Sequence, residues 1–292
     1  MTSVFEKQNE PEMQMLLCAQ RKEYSRLKSG RFWFVFVSVF LATAATIWIA
    51  VANDTKVASA LTAFNVLLIF IRDLIKGYFE KRQEHAAKIQ QYFDICCYNA
   101  VLSRNLINPR SIFLDSEIDE IRAKERHEDL SPFANWYSDY RSSSPTEQIL
   151  KSQRTNICWD VRLRRFYRNS VIMVLSIIVV GIIAYCIYSD ARTETIFALL
   201  SCSVLFIDCS WNSLLRLFKD IKRLDSIMNT HMAVELEMST THLIDDEKLK
   251  EIQNEIFSHR KMCFLIPDRI YNFRKNDYQS LEDTMAEMRS QV

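Results

Sequence analysis

Glycine is scarce in this chain, and its scarcity excludes several classes of enzyme. The 292 residues contain three glycines, Gly30, Gly77 and Gly181, which lie too far apart to form a phosphate-binding loop or a dinucleotide fingerprint. Proline is nearly as rare, with five residues. Because turn-rich β folds use both residue types, this scarcity favours an all-α chain.

Metal-binding and disulfide motifs are missing as well. The eight cysteines include no CxxC pair, and the five histidines show neither HxxxH nor HExxH spacing. We therefore expect no metal, no cofactor, and free thiols in a reducing compartment. The adjacent Cys96 and Cys97 are interpreted as helix packing, with a redox sensor as the alternative.

No catalytic grouping emerges from the sequence. The acidic clusters at 119–120 and 245–247 lie in polar runs that are typical of solvated helix starts. No Ser/His/Asp or Cys/His arrangement is apparent, and a net charge of +1 gives no signal for a nucleic-acid polymer. We expect a protein that is not an enzyme and that binds neither DNA nor RNA.

Four long apolar segments are what the sequence does contain. They form two pairs, each joined by a short turn: 32–52 with 57–75, and 170–188 with 195–217. A helix needs about 20 residues to cross a hydrocarbon core, and a lipid-embedded backbone must satisfy its own hydrogen bonds. The pattern predicts an integral membrane protein with four transmembrane helices in two hairpins. Buried helices of a soluble bundle are the alternative, but they do not explain the charge pattern.

Basic residues concentrate at the end of each segment that lies away from the turn. The two turns hold only Lys56 and Arg192, whereas the other flanks carry Arg21, Lys22, Arg26, Lys28, Arg31, Arg72, Lys76, Lys81, Arg82, Arg162, Arg164, Arg165, Arg168, Arg216, Lys219, Lys222 and Arg223. The positive-inside rule then predicts a multi-pass protein with both termini and the long central segment cytoplasmic. No signal peptide is indicated, so the first span is expected to direct insertion.

Five segments follow from this topology. They are a cytoplasmic N-terminal helix (1–31), transmembrane hairpin 1 (32–75), a central cytoplasmic helical region (76–169), transmembrane hairpin 2 (170–217) and a cytoplasmic C-terminal helical region (218–292).

Apolar stripes at helical spacing predict that the spans continue as long helices into a cytoplasmic bundle. The second span should extend to Ala100, and a capping box at Ser144 to Glu147 should start the helix that leads into the third. The stretch 115–129 is expected to be irregular. Further helices are predicted from Asp245 to a break at Pro267, and from Tyr278 with an apolar stripe of Leu281, Met285 and Met288.

Polar residues inside two spans share helix faces. They are Ser59, Thr62, Asn65 and Arg72 on the second span, and Ser201, Asp208 and Asn212 on the fourth. At 1.5 Å per residue, Arg72 lies ~22 Å and Asp208 ~18 Å from the outer ends of their spans, a similar depth. Ionisable residues in lipid normally face protein or water. One interpretation is an Arg72–Asp208 ion pair with interhelical hydrogen bonds; the other is a water-filled path lined by both faces in an oligomer.

Short motifs outside the spans resemble a known family. They are Ala19-Gln20-Arg21 with Tyr24, Gln90 to Asp94, Asn135-Trp136-Tyr137, Gln153 to Asp160 with Arg164 and Tyr167, and Ile266-Pro267-Asp268 with Ile270 and Tyr271. Their order and placement, from about Gln14 to Met285, resemble the S-4TM family of pore-forming effectors.

This resemblance implies a role in bacterial nucleotide-second-messenger defence, or CBASS. A partner nucleotidyltransferase that senses phage makes a cyclic oligonucleotide. The effector then oligomerises and permeabilises the bacterial inner membrane, giving abortive infection. On this chain the resemblance suggests Arg154, Asn156, Trp159, Asp160 and Arg164 as signal-sensing candidates, with arginines on phosphates and Trp159 stacking a base. The alternative makes Trp159 a core anchor and the arginines lipid-headgroup contacts.

Two other functions are weighed against this one. A membrane-anchored signalling adaptor or scaffold would use the spans only as an anchor. An ion transporter using Asp208 would need discontinuous spans, and no span has paired glycine or proline breaks. The sequence leaves open the activating ligand, the subunit number, and whether a defined channel or general disruption opens the membrane.

Overall fold

The computed structural model describes residues 2–52, 55–141, 143–188, 193–241 and 245–290. Within these ranges every regular element is helical, as the scarcity of glycine and proline predicts. The α-helices are α1 (Val4–Gln8), α2 (Pro11–Ala52), α3 (Thr55–Asn99), α4 (Asp115–Glu125), α5 (Pro145–Tyr188), α6 (Thr193–Thr241), α7 (Asp246–Met262) and α8 (Asp268–Ser290), with 3-10 turns at Pro109–Ser111 and Ser131–Phe133. The chain is therefore all-α.

Four of these helices are very long, and each joins an apolar segment to a charged one. Helices α2 and α3 pack along each other, as do α5 and α6, and α7 lies against α3, α5 and α6. The predicted continuation of the second apolar segment is confirmed, because α3 runs without a break to Asn99. The predicted start of α5 is confirmed too: the amides of Ser144 and Glu147 bond each other's side chains at 3.2 and 3.4 Å.

The core lies in the helical bundle formed by α1, α4, α7, α8 and the parts of the long helices outside the apolar segments. Its largest fully buried side chains include Tyr98, Tyr137 and Phe93. The stripe read on α5 is its buried face: Ile149, Ile157 and Arg164 are each at most 4% exposed.

Three local predictions are wrong. Part of the stretch 115–129 forms α4, because Glu117 caps the Leu114 amide at 2.8 Å and Ile118 is buried. Helix α8 begins at Asp268, ten residues before Tyr278. Its buried face carries Tyr278 and Glu282 rather than Leu281 and Met288, which are exposed.

The cysteines that the structure describes are Cys18, Cys96, Cys97, Cys158 and Cys263, and all are free thiols, as predicted. Burial raises the pKa of Cys96 to about 11 and that of Cys97 well above its usual value. Since the thiolate is the reactive form, this favours the packing interpretation of the pair.

In the part of the chain that the structure describes, none of the helices combines the length and the apolar composition that a membrane crossing requires.

Large exposed apolar side chains nevertheless concentrate on the four long helices. They include Phe32, Trp33, Phe36 and Phe40 on α2; Leu67, Phe70, Leu74 and Tyr78 on α3; Met173, Ile177, Val180, Ile183 and Ile187 on α5; and Trp211, Leu215 and Phe218 on α6. Contiguous apolar surface of this extent normally marks an interaction with protein or lipid.

Candidate functional site

A buried carboxylate, Asp94, lies where α3 packs against α7. It is 0% exposed and accepts hydrogen bonds from Arg260 Nη1 and the Tyr137 hydroxyl, both at 2.6 Å, and from the Gln253 amide at 3.0 Å. A buried charge is costly unless it is paired and hydrogen-bonded, and these donors supply both conditions. Burial lowers the pKa of Arg260, but Asp94 outweighs that effect and the pKa is raised. We call these four residues the Asp94 cluster.

The loop before α5 brings Tyr137 into this cluster through a turn at Asn135. Asn135 has φ of 54°, in the left-handed region that asparagine tolerates better than most residues. The side chain of Gln8 then bonds the Tyr137 backbone twice, at 2.7 and 2.9 Å. The short helix α1 therefore holds the Tyr137 backbone in place.

A second ionic group, the Arg164 cluster, consists of Arg164, Asp160, Asp220 and His259. The Arg164 guanidinium is buried and contacts Asp160 at 3.0 Å and Asp220 at 2.8 Å. It also donates to the Phe264 carbonyl at 2.9 Å, while the Phe264 amide donates to Asp220 at 2.7 Å. One side chain thus ties α5 to α6 and to the segment that follows α7.

His259 completes the Arg164 cluster as a cation. Its Nε2 lies 3.0 Å from Asp160 Oδ2, and because an ionised carboxylate only accepts, the imidazole donates. Burial acts to lower the pKa of His259, but the hydrogen bond to Asp160, together with the nearby Cys263, outweighs it and raises the pKa to about 9. For Asp160, burial acts to raise the pKa, and Arg164 and His259 together bring it well below its usual range.

The last turn of α7 connects the two clusters. His259 belongs to the Arg164 cluster and its neighbour Arg260 to the Asp94 cluster. The Gln83 amide of α3 bonds the carbonyls of Arg260 and Cys263 at 3.1 and 2.8 Å, which satisfies acceptors at this helix end. A displacement of α7 would consequently break both clusters together.

The structure pairs the predicted sensing arginines with carboxylates. Arg154 bonds Glu235 of α6 at 2.9 and 3.1 Å, and Arg164 holds Asp160 and Asp220. A phosphate that bound either arginine would have to replace these partners. Direct sensing by them stays a prediction.

The other sensing candidates also face inward. The Asn156 amide donates to the Tyr137 hydroxyl at 2.9 Å, and the Trp159 ring packs 4.8 Å from Tyr271 and 5.7 Å from Tyr278 on α8. A base that stacked on Trp159 would require α8 to move. Trp159 thus packs as its alternative interpretation expects, and base stacking stays a prediction.

The predicted polar faces of the spans lie mostly outside the described side chains. This applies to Ser59, Thr62, Asn65, Arg72, Ser201 and Asp208, whose backbones fall within α3 and α6. Asn212 is described and lies on an exposed part of α6. The ion-pair and water-path interpretations both stay predictions.

Sequence reasoning missed four members of the clusters: Asp220, Gln253, His259 and Arg260. A signal for three of them was present, because residues 253, 259 and 260 continue the apolar stripe of Leu249, Ile252 and Ile256 at helical spacing. Polar or charged residues in a buried stripe indicate that they bond to other polar groups in the interior.

The motifs that carry the resemblance converge on these clusters. Asp94, Tyr137, Asn156, Asp160 and Arg164 come from three separate motifs and meet within the bundle. The first and last motifs pack beside them: Gln20 bonds Gln90 at 3.4 Å, and Tyr271 lies against Trp159.

Comparison with known proteins identifies the family of the chain. The profile of the SMODS-associating 4TM effector domain matches residues 2–289. A Bacillus cereus (strain VD146) protein named a probable CBASS effector molecule is 26% identical over 288 residues, covering 93% of each chain. No solved structure matches the chain.

The fold and the clusters define an all-helical protein with buried ionic clusters in an apolar core, and the profile match defines its family. The chain belongs to the SMODS-associating 4TM effector family, which confirms the S-4TM resemblance. Family membership and the Bacillus likeness support a role as an effector of anti-phage defence.

Proposed function

We propose that this chain is a non-enzymatic, homo-oligomeric effector that permeabilises the bacterial inner membrane when a cyclic-oligonucleotide signal reaches its helical bundle. Both termini and the bundle are cytoplasmic in this proposal, and the apolar segments cross the bilayer as two hairpins. A partner nucleotidyltransferase makes the signal.

One observation carries the proposal: three unbroken helices, α3, α5 and α6, connect the ionic clusters to the exposed apolar surface. Helix α3 contains both Asp94 and the exposed Phe70, and α5 contains both Arg164 and the exposed Ile177. A continuous helix transmits rotation or translation along its length. A change in the clusters therefore moves the apolar segments as well.

The exposed surface supports lipid as the cover for these segments. Its aromatic and aliphatic side chains, such as Phe36, Phe70 and Val180, are each about half exposed or more. Leaving them in water forgoes roughly 25 cal/mol for each Å² of apolar area. The family description, which specifies four transmembrane segments, supports the same placement.

The ionic clusters support a closed state that a signal releases. Buried ion pairs contribute little net stability but are costly to break one partner at a time. We propose that the bundle switches between a closed arrangement, in which these pairs are made, and an open one. In the closed arrangement, Arg260 ties α7 to α3, His259 ties α7 to α5, and Arg164 ties the segment after α7 to α5 and α6. A signal that moves α7 releases both pairs of hairpin helices.

The test is co-expression in bacteria with the nucleotidyltransferase of the same defence system. Membrane potential and propidium uptake are recorded, with a catalytically inactive nucleotidyltransferase as the matched control. We expect depolarisation and uptake only with the active enzyme. Cells that stay polarised while dying would favour the adaptor function, and cells that survive unharmed would overturn the proposal.

A further inference from the structure

The basic residues of the bundle fall into two sets. Some cations have carboxylate partners: Lys28 with Asp268 at 2.7 Å, Arg165 with Asp225 at 2.8 Å, and Arg82 with Glu23 at 3.0 Å. Beside the predicted cytosolic ends of three spans, five cations have none among the described residues. These are Arg31, Arg168, Arg216, Lys219 and Lys222, which we call the basic girdle.

The contacts of Arg31 and Arg168 show how the girdle differs from a paired surface. Arg31 makes a long hydrogen bond of 3.4 Å to Gln83 and lies over the Phe79 ring at 5.8 Å. Arg168 bonds its neighbour Asn169 and lies over the Phe218 ring at 5.3 Å. Both guanidinium groups are held in place by neutral partners, and neither forms an ion pair among the described residues.

Two like charges also lie near each other across the hairpins. Helix α2 packs against α6. Burial lowers the pKa of Arg31, and the charge of Arg216 lowers it further. An anion placed between the two guanidinium groups would replace this repulsion by two charge-assisted bonds.

The surroundings of the girdle indicate which anion fits. Exposed aromatic side chains lie directly beside it, with Trp33 and Trp211 each 58% exposed. Tryptophan is enriched at the interface between lipid and water. All five cations lie within about 8 Å, measured along the helix, of a predicted span end. This is the level of the headgroup phosphates.

We propose that the basic girdle binds the phosphates of anionic phospholipids in the inner leaflet, with one phosphate between Arg31 and Arg216. The inference rests on the proposed membrane function. A phosphate at this position bridges α2 of the first hairpin to α6 of the second, so lipid composition sets how firmly the hairpins pack.

The experiment uses the full chain in nanodiscs that contain equal parts of phosphatidylglycerol and phosphatidylcholine. After mild delipidation in detergent, native mass spectrometry counts the retained lipids. We expect wild type to retain phosphatidylglycerol over phosphatidylcholine. Arg31→Gln and Arg216→Gln should each reduce the retained phosphatidylglycerol about fivefold, the effect of one basic residue near an anionic surface.

Three variants separate the site from folding and from general charge. Arg31→Lys and Arg216→Lys keep the cation and should retain the lipid. Arg26→Gln removes an exposed arginine of the same helix that pairs with Glu23, and should change nothing. Retention of both lipids in equal amounts by wild type, or unchanged retention in both glutamine variants, would overturn the proposal.

Two further outcomes are decisive. If a cyclic oligonucleotide displaces the bound phosphatidylglycerol, the girdle serves the signal instead of the lipid, and the proposal is wrong. If the chain enters no nanodisc, even of pure phosphatidylcholine, the membrane function itself fails. Entry without a preference for phosphatidylglycerol leaves that function intact and overturns only the lipid site.

Discussion

Replacing Arg164 by methionine separates a structural role for this residue from direct sensing. The substitution keeps the length and apolar stem of the side chain but removes the guanidinium. Two carboxylates, Asp160 and Asp220, then lose the cation that now lies 3.0 and 2.8 Å from them. Arg164 is 3% exposed, so water cannot replace it without opening the bundle.

The expected loss of folding stability is large, but it does not unfold the protein. Removing one partner from a buried ion pair costs roughly 3–5 kcal/mol. Asp160 keeps His259 as a cationic partner, and Asp220 keeps the Phe264 amide, so the lower end of this range applies. Against a total stability of about 5–15 kcal/mol, the variant stays folded while its closed state weakens. A loss of this size lowers the unfolding temperature by roughly 5–10 °C.

Two assays measure the effect of the substitution. Differential scanning fluorimetry of the full chain in detergent measures the unfolding temperature, and propidium uptake without the nucleotidyltransferase measures spontaneous opening. We expect R164M to lower the unfolding temperature and to raise propidium uptake. R164K, which keeps the charge, should lie between R164M and wild type.

Two other results would contradict this expectation, each for a different reason. If R164M unfolds at the wild-type temperature, the reasoning from buried ion pairs is refuted. If R164M is stable, sealed and unresponsive to the signal, Arg164 is a sensing residue, as the phosphate hypothesis predicts.

Three other predictions address the rest of the molecule. In the Asp94 cluster, D94N and R260M should each destabilise the protein, and the double variant should lose less than their sum by roughly 1–3 kcal/mol, measured by denaturant unfolding; strict additivity would contradict the pairing. The pKa of His259 is raised to about 9, so its contribution of roughly 3 kcal/mol is complete below its unfolded pKa of about 6.5 and is lost as the pH rises through about 9. Scanning fluorimetry should show this loss in wild type, and a loss of equal size in H259Q would contradict it. Within the predicted spans, R72A and D208N should change toxicity on co-expression; if both permeabilise cells as wild type does, these residues serve ordinary packing.

Periodicity predicted the helical parts of the fold because burial of one apolar stripe dominates helix packing. The stripes on α5 and α7 are buried as expected, with Ile149, Ile157, Leu249 and Ile252 each at most 1% exposed. The stripe on α8 failed because an aromatic contact and an ion pair decide its orientation: Tyr278 packs on Trp159, and Glu282 pairs with Arg162. Neither contact has a periodic signature.

About half of the residues in the two ionic clusters could be predicted from the sequence. Its motifs named Asp94, Tyr137, Asp160 and Arg164, but their meeting point depends on which helices pack together, and one sequence does not encode that as a local pattern. The partners on α6 and α7 come from residues more than 50 positions away, such as Asp220 for Arg164. Long-range pairing of this kind follows from tertiary packing alone.

The most direct measurement uses purified R164M in sealed vesicles of equal parts phosphatidylglycerol and phosphatidylcholine, loaded with a self-quenching dye. Because this variant weakens the closed bundle, no activating ligand is needed. We expect dye release from R164M vesicles and retention by wild-type vesicles at the same protein density. Vesicles that carry folded, inserted R164M and hold their dye would contradict the link between the bundle and the membrane.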